Sequence, residues 1–274
     1  MSIEYICTPK PQKFIDLWRE TIQARYLIQR LVWRDIKIRY NNTALGVLWN
    51  VLQPLALMLI FVVFLGLFFK NNTYGVPTAV YTYSALCVWQ FFARCLTQGG
   101  FAFTTFGHII AKVYFPRIII PLSFVLGASV DFFVAYGLLF FLQFYYGVFT
   151  LKQFLYVPLI FSGVFMFGFG CALILSALNS KFRDVTHVIP LLTQLWIFAT
   201  PIMYPLQIVP EKFLWFYSLN PMVGYVEAFR WATTTTVPFP PLLCLIPAVL
   251  GTLTAFALGV FLFRRWSGTL VDML

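Results

Sequence analysis

Six long apolar stretches, separated by short polar segments, dominate this chain. They cover residues 46–69, 80–103, 118–146, 154–178, 185–204 and 243–263. Each has about the 20 residues that an α-helix needs to cross the hydrocarbon core of a bilayer, and a helix satisfies its own backbone polar groups there. The pattern therefore predicts an all-α integral membrane protein with six transmembrane helices.

The segment before the first span, residues 1–45, contains a second helical pattern. Phe14, Trp18 and Ile22 recur every four residues, while charged and polar residues take the other face. Such an amphipathic helix suits either the membrane interface or packing on a partner, and the two are compatible. We expect this helix to lie at the cytoplasmic surface.

The connection between the fifth and sixth spans, residues 205–242, is long for a helical bundle. Asn followed by Pro is typical of a helix start, which predicts a short helix over residues 221–232. We interpret the connection as two short re-entrant helices that form an exterior gate, with a surface hairpin as the alternative. The candidate gate residues are Asn220, Pro221, Glu227 and Arg230.

Small residues recur on one face of the fourth span. Gly168, Ala172, Ser176 and Ser180 lie four residues apart. Small side chains let helices approach closely in lipid, so this spacing predicts a packing seam. The seam could lie inside the bundle or between two subunits.

Basic residues predict the orientation of the chain. Of the 19 Lys and Arg residues, fourteen lie before the first span, in the second and fourth loops, or in the tail at 264–274. Four lie on the opposite side, and one lies inside a span. Because cytoplasmic loops are enriched in Lys and Arg, both termini should be cytoplasmic. The net charge of +10 then reflects topology and anionic lipid rather than nucleic-acid binding.

Two ionisable residues lie deep within predicted spans. Arg94 in the second span and Asp131 in the third reach a similar depth, given the rise of an α-helix. A lone charge at the bilayer centre costs at least about 2.5–3.5 kcal/mol, and pairing offsets that cost. We expect the two side chains to be neighbours or to share a polar cavity, unless Arg94 reaches the cytoplasmic surface alone.

Motifs for catalysis or metal binding are not recognisable in the sequence. It has no phosphate-binding G-x-x-x-x-G-K-[ST] loop, and its five Cys and two His show no metal-ligand spacing. With nine acidic residues, paired carboxylates for acid–base chemistry are difficult to assemble. We therefore expect no metal or cofactor in this chain, and transport or scaffolding is favoured over catalysis.

Several short strings resemble the permease subunits of polysaccharide-export ABC transporters. The similarity extends from about residue 31 to residue 231. Arg94 is not typical of that family. The strings are RDIKIRY at 34–40 followed by TALG at 43–46, KVYFPR at 112–117, FRD at 182–184, TPIMYP at 200–205, and LNP at 219–221 with Arg230 after it.

The resemblance implies a homodimer of this chain with two separate cytoplasmic ATP-binding-cassette ATPase subunits, which bind ATP and Mg. It implies export of a lipid-linked polysaccharide, such as O-antigen, capsular polymer or teichoic acid, across a bacterial inner membrane. Three alternatives stay open: a permease for drugs or lipids, an integral membrane transferase, and a scaffold that transports nothing.

The loop between the second and third spans is the predicted contact with the ATPase. Residues 107–115 are predicted to form a short helix that ends before Pro116. In the permeases that this chain resembles, this element is the coupling helix, seated in a groove of the ATPase. The candidate residues are His108, Ile109, Ile110, Lys112, Tyr114 and Arg117.

Aromatic residues in the spans are candidates for lining a glycan canal. A sugar has apolar C–H faces on which aromatic rings can stack. Most aromatic residues in such a chain face lipid or pack between helices instead. The candidates are Phe61, Phe64, Phe68, Trp89, Phe92, Trp196, Phe198 and Tyr204.

Reversing charge in the predicted coupling loop should weaken docking. We expect the double substitution Lys112→Glu and Arg117→Glu to reduce co-purification with the ATPase subunit, because both cations lie beside the docking helix. Affinity purification of tagged complexes measures this. Unchanged recovery of the ATPase together with unchanged export would contradict the docking role.

Overall fold

The computed structural model describes residues 14–40, 46–68, 73–110 and 115–266, and these segments are helical without β-strands. The predicted all-α fold is confirmed for this part of the chain. The α-helices are α1 (Phe14–Gln23), α2 (Arg25–Tyr40), α3 (Trp49–Phe68), α4 (Thr78–Gly100), α5 (Ala102–Ile110), α6 (Ile119–Tyr145), α7 (Gln153–Lys181), α8 (Val185–Trp196), α9 (Glu211–Ser218), α10 (Pro221–Thr233) and α11 (Leu242–Trp266).

Within the described segments, three helices are both long and apolar enough to cross a membrane. They are α6, α7 and α11, with 27, 29 and 25 residues. Helices α3 and α4 have 20 and 23 residues, but α4 interrupts its apolar sequence with Gln90, Arg94 and Gln98. The chain is thus a multi-pass helical membrane protein.

The predicted fifth span, 185–204, is not one continuous helix. Helix α8 has 12 residues and is about 18 Å long, which is short of the roughly 30 Å hydrocarbon core. Residues 197–204 continue as turns and bends. Pro201 lacks a backbone donor and disfavours helical geometry at Thr200, which explains why the helix does not extend through this point.

The loop between the second and third predicted spans also differs from expectation. Helix α4 ends at Gly100, Phe101 has the non-helical angles φ −89° and ψ 6°, and α5 begins at Ala102. The short helix thus starts five residues before the predicted position, 107–115. Residues 111–114 lie outside the described part of the chain.

The connection between α8 and α11 contains two short helices, α9 and α10. The predicted helix over 221–232 is confirmed by α10, which extends one residue further. Asn220 caps it, because its side chain accepts a hydrogen bond from the backbone N–H of Met222 at 3.1 Å.

Helix α7 is central to the packing, with α4 on one face and α11 on another. A Cβ built on Gly168 would lie 2.9 Å from Sγ of Cys95, and one built on Gly99 would lie 2.5 Å from Cβ of Ala172. Ser176 on the same face is fully buried. The predicted seam is therefore real, and it lies inside the bundle between α7 and α4.

The opposite face of α7 packs even more closely on α11. A Cβ on Gly170 would lie 2.6 Å from the backbone N of Phe256, and a Cβ on Gly259 would lie 2.5 Å from the carbonyl oxygen of Gly170. The obstructing atoms are backbone, which cannot rotate away. Only glycine at these two positions lets the axes approach so closely.

The bundle has two polar ends, which we call the Asn179 end and the Arg230 end. At the Asn179 end, the Asn179 side chain donates to the carbonyl of Gly100 at 3.1 Å and accepts from Thr186 at 2.8 Å. This joins the last turns of α4 and α7 to the first turn of α8. The ammonium of Lys181 lies 4.8 Å from the ring of Trp266, which brings in the end of α11.

The Arg230 end contains the first turns of α4 and α7 and the last turn of α6. Arg230 on α10 contacts Tyr81, and the Gln143 side chain donates to the carbonyl of Thr233 at 2.6 Å. Lys152, next to α7, lies 4.6 Å from the ring of Trp231. Successive helices thus alternate in direction between the two ends.

Substitution of Gly170 should test the α7–α11 contact. We expect Gly170→Ala to destabilise the fold by about 1–3 kcal/mol, because the new methyl group meets backbone that must move. Thermal unfolding of the purified protein in detergent measures this.

The matched control is Gly137→Ala, a mid-helix position on α6 where a Cβ meets no atom within 4 Å. This control should be neutral or slightly stabilising, since alanine has the higher helix propensity. Equal melting temperatures for the two variants would contradict the close contact.

Candidate functional site

A cluster of four charged side chains joins α2, α4 and α6. Oδ2 of Asp131 on α6 contacts the guanidinium groups of both Arg94 on α4 and Arg39 on α2, the latter at 2.5 Å. Arg39 also contacts Oδ2 of Asp35, one turn earlier on α2, at 2.8 Å. The expected contact between Arg94 and Asp131 is present, and a second arginine has joined it.

Local geometry explains why these groups can meet. Asp35 and Arg39 share one face of α2 because they are four residues apart. Gly127 on α6 leaves room for them, since a Cβ there would lie 3.1 Å from both Oδ2 of Asp35 and Nη2 of Arg39. Asp131 follows one turn later on the same face of α6 and reaches the same arginine.

Charge balance holds the cluster together. The side chain of Asp131 is only 6% exposed, whereas those of Arg39 and Arg94 are 17% and 21% exposed. A buried carboxylate without a cation would be costly, and two guanidinium groups offset that cost. The two arginine side chains are thus less buried than the carboxylate that they share.

Asp35 lies outside the spans and belongs to the same partly buried cluster. Burial raises the pKa of its carboxyl group, the neighbouring Arg39 opposes that rise, and the negative charge of Asp131 adds to it. Arg39 therefore offsets part of the cost of holding the Asp35 carboxylate in this buried site.

A small pocket of about 350 Å³ of empty space adjoins the cluster between α3, α4 and α6. Its polar side is formed by Arg94, Asp131 and Gln90, and its apolar side includes the rings of Phe91 and Phe132. These rings meet edge to face at a centroid distance of 6.0 Å. The full lining is Gln53, Pro54, Cys87, Gln90, Phe91, Arg94, Ala128, Asp131, Phe132 and Ala135.

The Arg230 end holds a second ion pair. Arg230 is fully buried, and its Nη1 donates to Oε1 of Glu227 at 2.7 Å. Its other nitrogens donate to the carbonyls of Tyr81 at 3.3 Å and Ile202 at 3.1 Å. The guanidinium carbon also lies 3.8 Å from the centre of the Tyr81 ring. Arg230 thereby ties α10 to α4 and to the turns after α8.

Asn220 makes a second connection at this end. Its Oδ1 accepts from the indole N–H of Trp196 at 3.0 Å, and its Nδ2 donates to the carbonyl of Ala199 at 2.9 Å. Pro221 follows as the first residue of α10. Asn220 and Pro221 therefore begin α10, Glu227 and Arg230 lie further along the same helix, and their role as a gate remains a prediction.

The predicted canal residues fall into three groups. Phe61, Trp89 and Phe92 are buried, and Phe92 stacks on Phe167 at a centroid distance of 5.0 Å. Phe64 and Phe68 belong to α3 by their backbone, and their side chains lie outside the described part.

The third group lies around the end of α8. The Phe92 ring meets Trp196 at 5.1 Å, and Tyr204 donates to the carbonyl of Phe198 at 2.9 Å. Phe198 is 59% exposed. In this arrangement Phe92 packs the core while Phe198 faces outward, and whether any of them lines a canal remains a prediction.

The predicted coupling residues are only partly described. The backbone of His108, Ile109 and Ile110 belongs to the last turn of α5, and their side chains lie outside the described part, as do Lys112 and Tyr114. Arg117 is partly buried before α6.

Helix α5 itself is well anchored. Phe106 is buried, meets Phe124 of α6 edge to face at 5.5 Å, and lies 4.1 Å below the guanidinium carbon of Arg34 on α2. The start of α5 follows Gly100, whose carbonyl accepts the Asn179 hydrogen bond. Movement of α5 would therefore act on α2, α6 and α7 together.

Sequence reasoning did not identify Arg39, Asp35 or Asn179 as functional candidates. In the sequence, Arg39 is one of many basic residues before the first span and part of the RDIKIRY string at 34–40, with no partner indicated. The i, i+4 spacing of Asp35 and Arg39 was a usable signal for a local pair. Nothing in the sequence indicated that the last turn of α2 lies beside the middle of α6.

The apolar helices of the bundle define a multi-pass membrane protein. Residues 26–234 match the family model described as ABC-2 type transporter. This match covers more than half of the chain, so the chain belongs to the ABC-2 type transporter family.

Named relatives narrow the comparison. The chain is 33% identical over 199 residues to an O-antigen export system permease protein RfbA of Klebsiella pneumoniae, covering 72% of this chain and 76% of the relative. It is 30% identical over 218 residues to RfbA of Myxococcus xanthus, covering 79% and 83%. It is 26% identical over 213 residues to the polysialic acid transport protein KpsM of Escherichia coli, covering 75% and 80%.

Truncating Arg230 should destabilise the Arg230 end strongly. We expect Arg230→Met to cost about 3–5 kcal/mol, because it leaves Glu227 buried without a cation. The double variant Glu227→Gln with Arg230→Met should lose less, since it removes both charges. Thermal unfolding in detergent compares them.

Lys212→Met serves as the control, because Lys212 is an exposed cation on the neighbouring helix α9. It should change the melting temperature little. A double variant that is no more stable than Arg230→Met alone would contradict the importance of the ion pair.

Proposed function

We propose that this chain is the transmembrane subunit of an ATP-driven exporter that moves a lipid-linked polysaccharide from the cytoplasm across the bacterial inner membrane. The observation that carries the proposal is similarity over about three quarters of the chain to permeases named for O-antigen and polysialic acid export. The family assignment supports the same class of transporter.

We infer that two copies of the chain form the conduit. A polymer needs a continuous passage, and the pocket beside Arg94 and Asp131 is too small to be one. Phe92 and Trp89 are buried within one chain. A canal between two chains would use outward-facing rings such as Phe198 without opening the core.

The proposed topology has six crossings with both termini in the cytoplasm. Its support is the charge difference between the two ends of the bundle. The Asn179 end carries Lys181 and Arg183, with Arg264 and Arg265 at the end of α11, whereas the opposite end carries Lys152, Lys212 and Arg230, the last of which is paired with Glu227. Positive residues are favoured on the cytoplasmic side, so the Asn179 end is assigned to the cytoplasm.

With this orientation, the remaining helices can be assigned to a side of the membrane. Helix α8 and the turns that follow it would form the fifth crossing together, and α9 and α10 would be the re-entrant gate helices on the exterior. Arg230 and Asn220 would hold that gate against α4 and α8.

Two cytoplasmic ATPase subunits would supply the energy, binding ATP and Mg, and would dock at α5. The support is mechanical: Phe106 of α5 contacts α2 and α6, and the junction between α4 and α5 is tied to α7 through Asn179. Closure of the ATPases could thereby move several membrane helices at once.

Reconstitution tests the proposal. The chain and its ATPase subunit in proteoliposomes should hydrolyse ATP faster when lipid-linked O-antigen extracted from Klebsiella pneumoniae is added, and should move that glycan across the bilayer only with ATP. Vesicles with an ATPase variant that cannot hydrolyse ATP are the control. ATP hydrolysis stimulated by drugs or simple lipids but not by the glycan would contradict the proposal.

A further inference from the structure

The charge cluster at Asp131 differs in design from the pair at Arg230. Arg230 is completely buried and bonded to Glu227 and to two backbone carbonyls, so it has one possible arrangement. Arg39 instead contacts two carboxylates on two different helices, and its side chain is partly exposed. The contacts of Arg230 therefore allow one arrangement, whereas Arg39 has two carboxylates with which it can pair.

The charges can be divided without leaving any of them alone. If α2 moved away from α6, Arg39 would keep Asp35 on its own helix, and Asp131 would keep Arg94 on α4. Each resulting pair is neutral. The usual penalty for breaking a buried ion pair comes from the charge that is left uncompensated, and here that penalty is avoided.

Helix α2 is also connected to the element proposed to meet the ATPase. Arg34, one turn before the cluster, lies over the Phe106 ring of α5 at 4.1 Å, and Phe106 is buried. A displacement of α5 therefore reaches α2 before it reaches Asp131. The line of contacts runs from α5 through Arg34 and Arg39 to α6 and α4.

We propose that Arg39 is a positioning residue for transport, which releases Asp131 and keeps Asp35 during the ATP cycle. The release frees α2 from α6 while Arg94 stays beside Asp131. The proposal rests on the proposed function, because the ATPase supplies the movement. Such a contact can couple distant sites because it has two arrangements, in each of which Arg39 and Asp131 keep a partner of opposite charge.

Asp35→Asn separates this idea from a merely structural role. If Arg39 relies on Asp35 when it leaves Asp131, the substitution Asp35→Asn removes the carboxylate that would compensate Arg39. Arg39 then stays with Asp131 and holds α2 against α6. If Asp35 simply helps to hold α2 in place, its loss should loosen α2 at all times. The two ideas thus predict changes in opposite directions.

Hydrogen–deuterium exchange of the backbone amides of α2 in the intact complex with the ATPase gives the readout. Adding a non-hydrolysable ATP analogue to wild type should speed exchange in α2 by about fivefold or more, the lower end of ordinary coupling between sites. In Asp35→Asn, nucleotide should produce no such increase. Asp35→Glu, which keeps a carboxylate, should restore the increase.

Export of the Klebsiella pneumoniae glycan in the same vesicles should follow the exchange data. Asp35→Asn should reduce glycan moved per ATP hydrolysed by about fivefold, a typical allosteric coupling, with normal recovery of the complex. Asp184→Asn, the same change at an exposed residue before α8 whose side chain makes no cap hydrogen bond, is the matched control and should behave as wild type.

Three results would overturn the proposal: no nucleotide effect on wild-type α2, an unchanged nucleotide effect in Asp35→Asn, or faster exchange in Asp35→Asn with and without nucleotide. Failure of the broader function has a different signature. A wild-type complex that binds nucleotide but moves no glycan contradicts polysaccharide export, and its α2 exchange data still decide whether Arg39 releases Asp131.

Discussion

An ionised side chain inside an apolar helical bundle must be compensated, and this requirement fixes how the helices of this protein meet. Asp131 is compensated by two arginines from α2 and α4, and Glu227 by Arg230 from its own helix. Moving α10 away would break the bonds of Arg230 to the carbonyls of Tyr81 and Ile202, and moving α2 away would leave Asp131 with Arg94 on α4. Apolar packing alone would allow many rotations of these helices, whereas the charges permit few.

Close packing at glycines also limits how the helices can be arranged. Gly99 and Gly168 bring α4 against α7, and Gly170 and Gly259 bring α7 against α11. These contacts hold α7 between α4 and α11, and α10 is itself largely buried. The two charge clusters differ in how they could move: Arg230 is bonded to two backbone carbonyls, and Arg39 has a second carboxylate partner.

The regions where sequence reasoning succeeded share a physical basis. Continuous apolar runs predict long helices because the period and length are properties of the segment itself, and α6, α7 and α11 follow the predicted spans closely. The helix at Asn220–Pro221 was predictable for the same reason, since a cap is a local interaction. The interruption near Thr200–Pro201 also had a local signal, which is the proline itself. The apolar run around it nevertheless predicted a continuous span. The early start of α5 follows the end of α4 at Gly99 and Gly100, two glycines that weaken a helix.

The sequence by itself therefore determined an all-helical membrane protein, the seam of small residues on α7, and the need for Arg94 and Asp131 to find partners. Only the tertiary structure decided that the seam faces α4, that Phe92 packs the core, and that Arg39 reaches Asp131. The reason is that helix formation and burial preference are encoded within one segment, whereas partner choice depends on segments that are far apart in the chain. Arg39 and Asp131 are 92 residues apart, and only the folded arrangement of α2 beside α6 brings them together.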